Sequence, residues 1–216
     1  MSQWSVVVPA KRLVVAKTRL TPLTAALGDE LPDGHRDLVL ALLADTVAAA
    51  LSSPAVGLVL VVTDEPRAAA VVSRLGARTV RDEPDDGLNA ALTHGARQAR
   101  AAAAGPVAAL SSDLPALRAA ELTAALRAAV EVPRAFVADA QGSGTTLLAV
   151  RDGELDPRFG HGSAAAHAAG GAMPLTGGWP GLRQDVDTAD DLQAACRLGV
   201  GLRTAGLLSA TCWTPP

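Results

Sequence analysis

The stretch Gly57-Leu-Val-Leu-Val-Val-Thr63 is apolar without alternation, and a helical pattern over Glu65–Leu75 follows it and ends at Gly76. An unbroken apolar run rich in β-branched residues is typical of a parallel strand whose two faces are both covered. A strand joined to a helix by a short connection is the repeating unit of such a sheet. This stretch therefore predicts an α/β fold.

The same unit recurs through residues 1–133. Strands are predicted at Val6–Val8, Arg78–Arg81 and Val107–Leu110, and helices from Asp33 through Leu51, from Asp86 to about Ala104, and over Arg118–Val130. In the first helix, Leu38, Leu42 and Val47 are predicted to lie near one face. Four strand–helix units predict a doubly wound, mostly parallel sheet.

The second part of the chain has a different pattern. Short strands are predicted at Ala135–Ala138, Thr145–Val150 and Leu182–Val186, and helices near Ser163–Ala169 and from Thr188 through Leu198. The segment Gly160–Gly181 is rich in glycine, and Gly201–Pro216 is too weakly patterned to predict a regular element. No linker separates the two parts, so a single domain is expected over residues 1–216.

Charge and composition exclude several classes of protein. The net charge of -3 argues against a general nucleic-acid binder, which would carry a basic excess. No segment reaches the roughly 18 apolar residues of a membrane span, so we expect no membrane partner and a cytoplasmic location. Cys196 and Cys212 have neither metal spacing nor the pattern of a disulfide framework.

The loop after the first strand is basic. Lys11, Arg12, Lys17 and Arg19 fall within nine residues, and the two lysines are the only ones in a chain with nineteen basic residues. A lysine ammonium suits phosphate oxygens, and a loop at the carboxyl end of a first strand is where open α/β sheets bind phosphate-bearing ligands. A solvated basic loop is the alternative.

The P-loop and Rossmann glycine motifs and the Gly-x-Ser-x-Gly elbow are absent from the sequence.

Three carboxylates follow or end predicted strands, namely Asp113, Asp185 and Asp187. Residues i and i+2 of an extended segment share a face, so the last two can converge on one site. Two or three carboxylates form a Mg²⁺ site when substrate phosphates supply the remaining oxygens. The alternative for Asp185 and Asp187 is that they complement the dipole of the helix that follows.

Six short motifs in this order resemble the 2-phospholactate/phosphoenolpyruvate guanylyltransferases of coenzyme F420 biosynthesis, a branch of the molybdenum-cofactor-like nucleotidyltransferases. They are Val8-Pro-Ala-Lys11 with Ala16-Lys-Thr-Arg-Leu20, Asp85-Asp-Gly-Leu-Asn-Ala90, Ser111-Ser-Asp-Leu-Pro115, Gly144-Thr-Thr-Leu-Leu148, Arg158-Phe-Gly-His-Gly-Ser163 with His167, and Leu182-Arg-Gln-Asp-Val-Asp-Thr188. Each motif is weak alone, but the ordered set spans nearly the whole chain.

The resemblance implies a single-domain GT-A-like nucleotidyltransferase fold with a small β-rich acceptor-binding part. It implies a nucleotide-binding half over residues 1–133, an acceptor- and metal-binding part over 134–200, and a C-terminal tail over 201–216. The implied roles are catalysis by Lys11, Lys17 and Asp113; nucleotide binding by Pro9, Lys11, Lys17, Gly87, Asn89 and Ser112; acceptor binding by Thr145, Gly160 and Ser163; and Mg²⁺ binding by Asp113, Asp185 and Asp187.

Two residues also have physical properties that suit an acceptor site. Gly160 would allow close backbone approach, and Ser163 begins a small helix whose free N–H groups could bind an anion. A plain loop with a helix cap is the alternative.

The implied reaction is attack by a phosphate oxygen of the acceptor on the α-phosphorus of GTP, with pyrophosphate leaving. The expected partners are GTP, phosphoenolpyruvate or 2-phospholactate, and a transferase that receives the product. Phosphoenolpyruvate is favoured, and 3-phosphoglycerate is a further option because all three acids share a phosphate and a carboxylate. The alternatives are a nucleotidyltransferase for molybdopterin or a sugar phosphate, and a non-catalytic nucleotide-binding protein. The oligomeric state is not predicted.

Overall fold

A mixed sheet of seven strands runs through the computed structural model, which describes residues 3–10, 33–83 and 85–210. Lys11 and Lys17 lie outside these residues. The strands are β1 (Trp4–Pro9), β2 (Val56–Val62), β3 (Arg78–Val80), β4 (Val107–Leu110), β5 (Arg134–Ala138), β6 (Thr145–Val150) and β7 (Met173–Pro174). The two-residue strand β7 was not predicted, because its Gly-rich surroundings hide so short a pairing.

The strand order is β3-β2-β1-β4-β6-β5-β7. Strands β1 to β4 pair in parallel, β6 is antiparallel to both β4 and β5, and β7 is parallel to β5. The predicted doubly wound, mostly parallel sheet is confirmed, and the later strands extend the same sheet. The division of the chain into functional parts stays a prediction.

The described part of the chain contains eight helices. They are α1 (Gly34–Leu51), α2 (Pro66–Leu75), α3 (Gly87–Ala102), α4 (Ala119–Ala129), α5 (Ser163–Ala169), α6 (Pro180–Arg183), α7 (Ala189–Leu198) and α8 (Leu202–Ala210). Local signals set several of these bounds. Helix α2 begins where Glu65 accepts a hydrogen bond from the Arg67 amide, and it ends at Gly76, whose φ is +101°.

Side-chain alternation along the strands makes two apolar layers. Val6 and Val8 face one layer, which is packed by α1, α2 and α4. Val7 faces the other layer, which is packed by α3 and α5. Since strand residues point to opposite faces in turn, an unbroken valine run supplies both layers. The helices after β1 and after β3 therefore lie on opposite faces of the sheet.

Helix α1 is buried on two sides, and the prediction of one apolar face was wrong. Val47 packs on the sheet, whereas Leu38 and Leu42 pack with Leu192 and Leu208 of the C-terminal helices. A helix that is apolar nearly all round is covered all round. The second layer of helices explains why α1 carries more leucine than one face needs.

The predicted strand over Leu182–Val186 is absent, and the short helix α6 followed by an irregular segment takes its place. Leu182 and Val186 are both fully buried, but Leu182 packs in the cluster between the sheet and its helices, whereas Val186 packs among α1, α7 and α8. An apolar pattern over so short a stretch cannot distinguish such burial from that of a strand.

The C-terminal segment contains α8, which the sequence pattern did not predict. The buried carboxylate of Asp45 on α1 accepts hydrogen bonds from the amides of Arg203 (3.0 Å) and Thr204 (2.8 Å), at the start of α8. A residue 158 positions away thus caps the helix, so no local capping signal marks its start. Residues 211–216 lie outside the described part of the chain.

We expect Asp45→Ala to lower the free energy of unfolding by about 2 kcal/mol, because it leaves two amides at a helix start without their carboxylate. Urea unfolding measures this loss. Proteolysis should then cut between α7 and α8 faster than in the wild type. An unchanged unfolding midpoint would contradict the role given to Asp45.

None of the helices in the described ranges is long and apolar enough to cross a membrane.

Candidate functional site

The carboxyl ends of β1 and β4 form the topological switch point of the sheet. These strands are neighbours, and helix α1, which follows β1 along the chain, lies on the opposite face of the sheet from α3, which precedes β4. Open α/β sheets bind their ligands in the crevice at such a point. Pro9 ends β1 there, and Ser112 and Asp113 follow β4 there. Three of the predicted site residues therefore meet at this edge.

Thr145 lies at the same edge because β6 runs antiparallel to β4. Leu110 pairs with Leu147, so the entry of β6 lies beside the exit of β4. The Ser111 amide donates to the Thr146 carbonyl at 2.9 Å, and the Ser111 hydroxyl donates to the Thr145 carbonyl at 3.5 Å. Thr145, predicted to bind the acceptor, is thus placed next to Ser112, predicted to bind the nucleotide.

The acidic segment after α6 lies against the β4 exit. The Val186 amide donates to the Asp113 carbonyl at 3.1 Å. Asp113 is buried, Asp185 is half-buried and Asp187 is exposed, and the buried Val186 separates the last two. The backbone of this segment therefore lies beside Asp113, although the segment is not a strand, and the convergence of the three carboxylates stays a prediction.

Helix α7 has its own cap, which bears on the alternative interpretation of Asp185 and Asp187. Thr188 accepts a hydrogen bond from the Asp191 amide, and the Asp191 carboxylate accepts one from the Thr188 amide at 2.8 Å. This reciprocal capping box satisfies the helix start with residues other than Asp185 and Asp187.

Across the described ranges, no group of three or more His, Cys, Asp or Glu side chains is placed to hold a metal ion. A cage made only of protein ligands is therefore not formed there. Mg²⁺ commonly uses one or two carboxylates and takes its remaining oxygens from water and substrate phosphates. The oxygen donors at Asp113 and the neighbouring acidic segment fit that smaller requirement. Magnesium binding stays a prediction.

Two predicted nucleotide-binding residues begin helix α3. Gly87 is exposed with φ +85°, a conformation that favours glycine. The Asn89 side chain makes two hydrogen bonds with the backbone of Phe159: its nitrogen donates to the Phe159 carbonyl at 3.1 Å, and its oxygen accepts from the Phe159 amide at 2.8 Å. Asn89 therefore ties α3 to the loop before Gly160. Contact of Asn89 with guanosine stays a prediction, and so do the roles of Lys11 and Lys17.

The Gly160–Ser163 loop is shaped by its own backbone contacts. A Cβ built at Gly160 would meet no protein atom within 4 Å, so its φ of +132° favours glycine there, and close approach of an acceptor stays a prediction. The amides of Ser163 and Ala164 already donate to the carbonyls of Gly160 and Ser143, both at 3.1 Å. The expectation of free N–H groups at this helix start was wrong for these two amides, since tertiary contacts use them.

His167 is the residue of this region to which sequence reasoning gave no role. Its side chain is 1% exposed, and both ring nitrogens are bonded. Nδ1 lies 2.9 Å from the Thr145 hydroxyl, and Nε2 accepts from the Arg158 amide at 2.9 Å. The ring packs edge-on against Phe159 with centroids 5.2 Å apart. Its inclusion in a matching motif was the only signal in the sequence.

The surroundings of His167 keep its ring neutral. Burial is the largest of several effects that lower the pKa of His167 from 6.5 to about 4. The guanidinium groups of Arg134 and Arg158 lower it further, and the Asp156 carboxylate has a smaller, opposing effect. Asp156 pairs with both arginines, at 3.5 Å and 3.2 Å. Protonating this ring therefore costs free energy in the folded protein but not in the unfolded chain.

This shift predicts a pH-dependent stability. His167 binds its proton below about pH 4 when folded and below about pH 6.5 when unfolded, so acidification favours the unfolded chain between these values. We expect the contribution of His167 to the free energy of unfolding to fall by about 2 kcal/mol from pH 7 to pH 5. Urea unfolding of the wild type and of His167→Asn at both pH values measures it. Equal pH dependence in the two proteins would show that the folded ring titrates normally.

Comparison with known proteins identifies the family to which this sequence is similar. The family model described as "Guanylyl transferase CofC like" matches residues 4–172. The chain is 68% identical over 205 residues to a phosphoenolpyruvate guanylyltransferase from Geodermatophilus obscurus, covering 95% of this chain and 94% of that protein. It is 56% identical to a phosphoenolpyruvate guanylyltransferase from Salinispora arenicola, covering 94% and 92% of the two chains.

Solved structures agree at the level of the fold. A protein from Desulfovibrio desulfuricans G20, provisionally named a nucleotide-diphospho-sugar transferase, superposes with a TM-score of 0.69 at 16% identity. The match covers 98% of this chain and 96% of that one. The GT-A-like nucleotidyltransferase fold is thereby confirmed. The family model and both relatives cover well over half of the sequence, and the chain therefore belongs to the CofC-like guanylyl transferase family.

Proposed function

We propose that this protein transfers GMP from GTP to phosphoenolpyruvate and releases pyrophosphate. The observation that carries the proposal is the hydrogen bond from the Val186 amide to the Asp113 carbonyl, beside the β4–β6 junction that presents Thr145. It brings the backbone of the acidic segment to the exit of β4, and β6 begins at Thr145 beside that exit. The relative at 68% identity, named for phosphoenolpyruvate, favours that acid over 2-phospholactate and 3-phosphoglycerate.

The chemistry needs alignment more than proton transfer. A phosphate monoester is largely dianionic at neutral pH, since its second pKa is about 6. Its oxygen forms a bond to the α-phosphorus of GTP while the bond from that phosphorus to the β-phosphate bridging oxygen breaks, and pyrophosphate leaves with the electron pair. No general base is required, which agrees with the use of both His167 nitrogens in structural hydrogen bonds.

The chain's own residues would orient the reactants in this mechanism. Asp113 and the Asp185–Asp187 segment would hold Mg²⁺, which supplies charge neutralisation at the phosphates. Thr145, Gly160 and Ser163 would bind the acceptor. Lys11 and Lys17 would bind the triphosphate, and Pro9, Gly87, Asn89 and Ser112 would line the nucleotide site. A transferase that receives the product stays a predicted partner.

The test is pyrophosphate release by the purified protein with GTP and Mg²⁺. Phosphoenolpyruvate, 2-phospholactate and 3-phosphoglycerate are offered separately, and CTP and ATP serve as nucleotide controls. We expect release that requires both GTP and phosphoenolpyruvate. Release with another acid alone would reassign the acceptor, and release without any acid would contradict transfer to an acceptor.

A further inference from the structure

His167 joins three parts of the site that are distant in sequence. It lies on α5, contacts Thr145 at the start of β6 through Nδ1, and contacts the Arg158 backbone through Nε2. The Arg158 peptide leads into the Gly160–Ser163 loop. One side chain thus connects the proposed acceptor-binding hydroxyl with the proposed acceptor-binding loop.

The direction of these hydrogen bonds follows from elementary chemistry. A backbone N–H can only donate, so Nε2 of His167 must offer a lone pair to Arg158. A neutral imidazole then carries its proton on Nδ1, which donates to the Thr145 oxygen. With its oxygen accepting from His167, Thr145 keeps its own hydroxyl proton to donate elsewhere. A phosphate dianion or a carboxylate only accepts hydrogen bonds and matches that proton.

We propose that His167 is a positioning residue that turns the Thr145 hydroxyl into a directed donor toward an anionic oxygen of the acceptor. The inference rests on the proposed function, which places the acceptor at Thr145. The groups that face the ring are Arg134 on β5 and Arg158 and Asp156 in the preceding loop, together with the rings of Phe136 and Phe159. These surroundings keep the ring neutral, and the Arg158 amide then holds it in the tautomer that the role requires.

The loop has a second attachment that does not involve His167. Asn89 bonds both the amide and the carbonyl of Phe159. Replacing His167 therefore removes one attachment of the loop and leaves the other. We expect His167 variants to fold, so their kinetic constants can be interpreted.

The experiment uses two substitutions that divide the functions of the ring. In His167→Asn the amide nitrogen can take the place of Nδ1 and donate to Thr145, whereas in His167→Gln the amide oxygen can take the place of Nε2 and accept from Arg158. We expect His167→Gln and Thr145→Val each to raise the KM for phosphoenolpyruvate at least tenfold, with the KM for GTP unchanged. His167→Asn should restore most of the affinity. The double variant that combines Thr145→Val with His167→Gln should have the same KM for phosphoenolpyruvate as Thr145→Val alone.

A matched control is Thr123→Val. The Thr123 hydroxyl is also buried and bonded, to Ser53 at 2.8 Å, but it lies near the amino end of β2, away from the proposed site. Its loss should lower stability and leave both KM values unchanged. Imidazole ¹⁵N NMR of the wild type gives an independent readout, since it distinguishes a proton on Nδ1 from one on Nε2.

The outcomes separate the inference from the function on which it rests. A normal acceptor KM in Thr145→Val would overturn the placement of the acceptor, and with it the inference. A raised KM in Thr145→Val with a normal KM in His167→Gln would overturn the inference alone. A proton on Nε2 of His167 would also overturn the inference, whether or not the protein releases pyrophosphate. An equal fall in kcat for both His167 variants without a change in KM would assign the ring a purely structural role.

Discussion

Asp113→Asn is expected to lower the kcat of GTP-dependent pyrophosphate release by about 10² to 10³-fold. The substitution keeps the shape of the side chain and removes its charge, so the fold should be retained. In the proposed mechanism the lost carboxylate contributes to binding Mg²⁺, and the variant should require a higher Mg²⁺ concentration for half-maximal activity. Initial rates at varied Mg²⁺ and the urea unfolding midpoint measure the two effects.

A matched control for this prediction is Asp152→Asn. Asp152 follows β6 at the opposite edge of the sheet, where its side chain is 80% exposed and pairs with Arg151. Its charge is removed in the same way without a change at the proposed site, so kcat and the Mg²⁺ requirement should match the wild type. Wild-type kcat in Asp113→Asn would rule out a metal-binding role for that carboxylate.

Gly181→Ala is expected to lower the free energy of unfolding by about 3 kcal/mol and to reduce kcat. A Cβ at residue 181 would lie 2.1 Å from the Ala116 carbonyl oxygen and 2.7 Å from Oε2 of Glu121. The Gly181 amide also donates to the Glu121 carboxylate at 3.2 Å. Since a backbone oxygen cannot turn aside, α6 must move, and it carries the Asp185–Asp187 segment with it.

Gly178→Ala is the control, because it adds the same methyl group three residues earlier. A Cβ there would meet no atom within 4 Å, so the unfolding free energy should change by less than about 0.5 kcal/mol. Urea unfolding should show a lower stability, and pyrophosphate release a lower kcat, for Gly181→Ala than for Gly178→Ala. If Gly181→Ala were as stable and as active as Gly178→Ala, close packing at α6 would not position the acidic segment.

An apolar pattern in a sequence reports burial but not the neighbour that provides it. Leu182 is buried between the sheet and its helices and Val186 among helices, so their pattern was compatible with a strand that does not form. Leu38 and Leu42 serve a second layer of helices that no local signal reveals. Helix α8 starts at a carboxylate from another helix, so its sequence carries no capping residue of its own.

The sequence by itself determined the alternating α/β elements, the parallel character of the sheet and the candidate residues at its carboxyl edge. These features depend on local patterns: β-branched runs, helix-ending glycines and the motifs that resemble one family. Tertiary structure decided which candidates meet. Thr145 reaches the β4 exit because β6 runs antiparallel, and α5 brings His167 to Thr145 and Arg158. Such hydrogen bonds join residues far apart in sequence, so they exist only once the chain has folded.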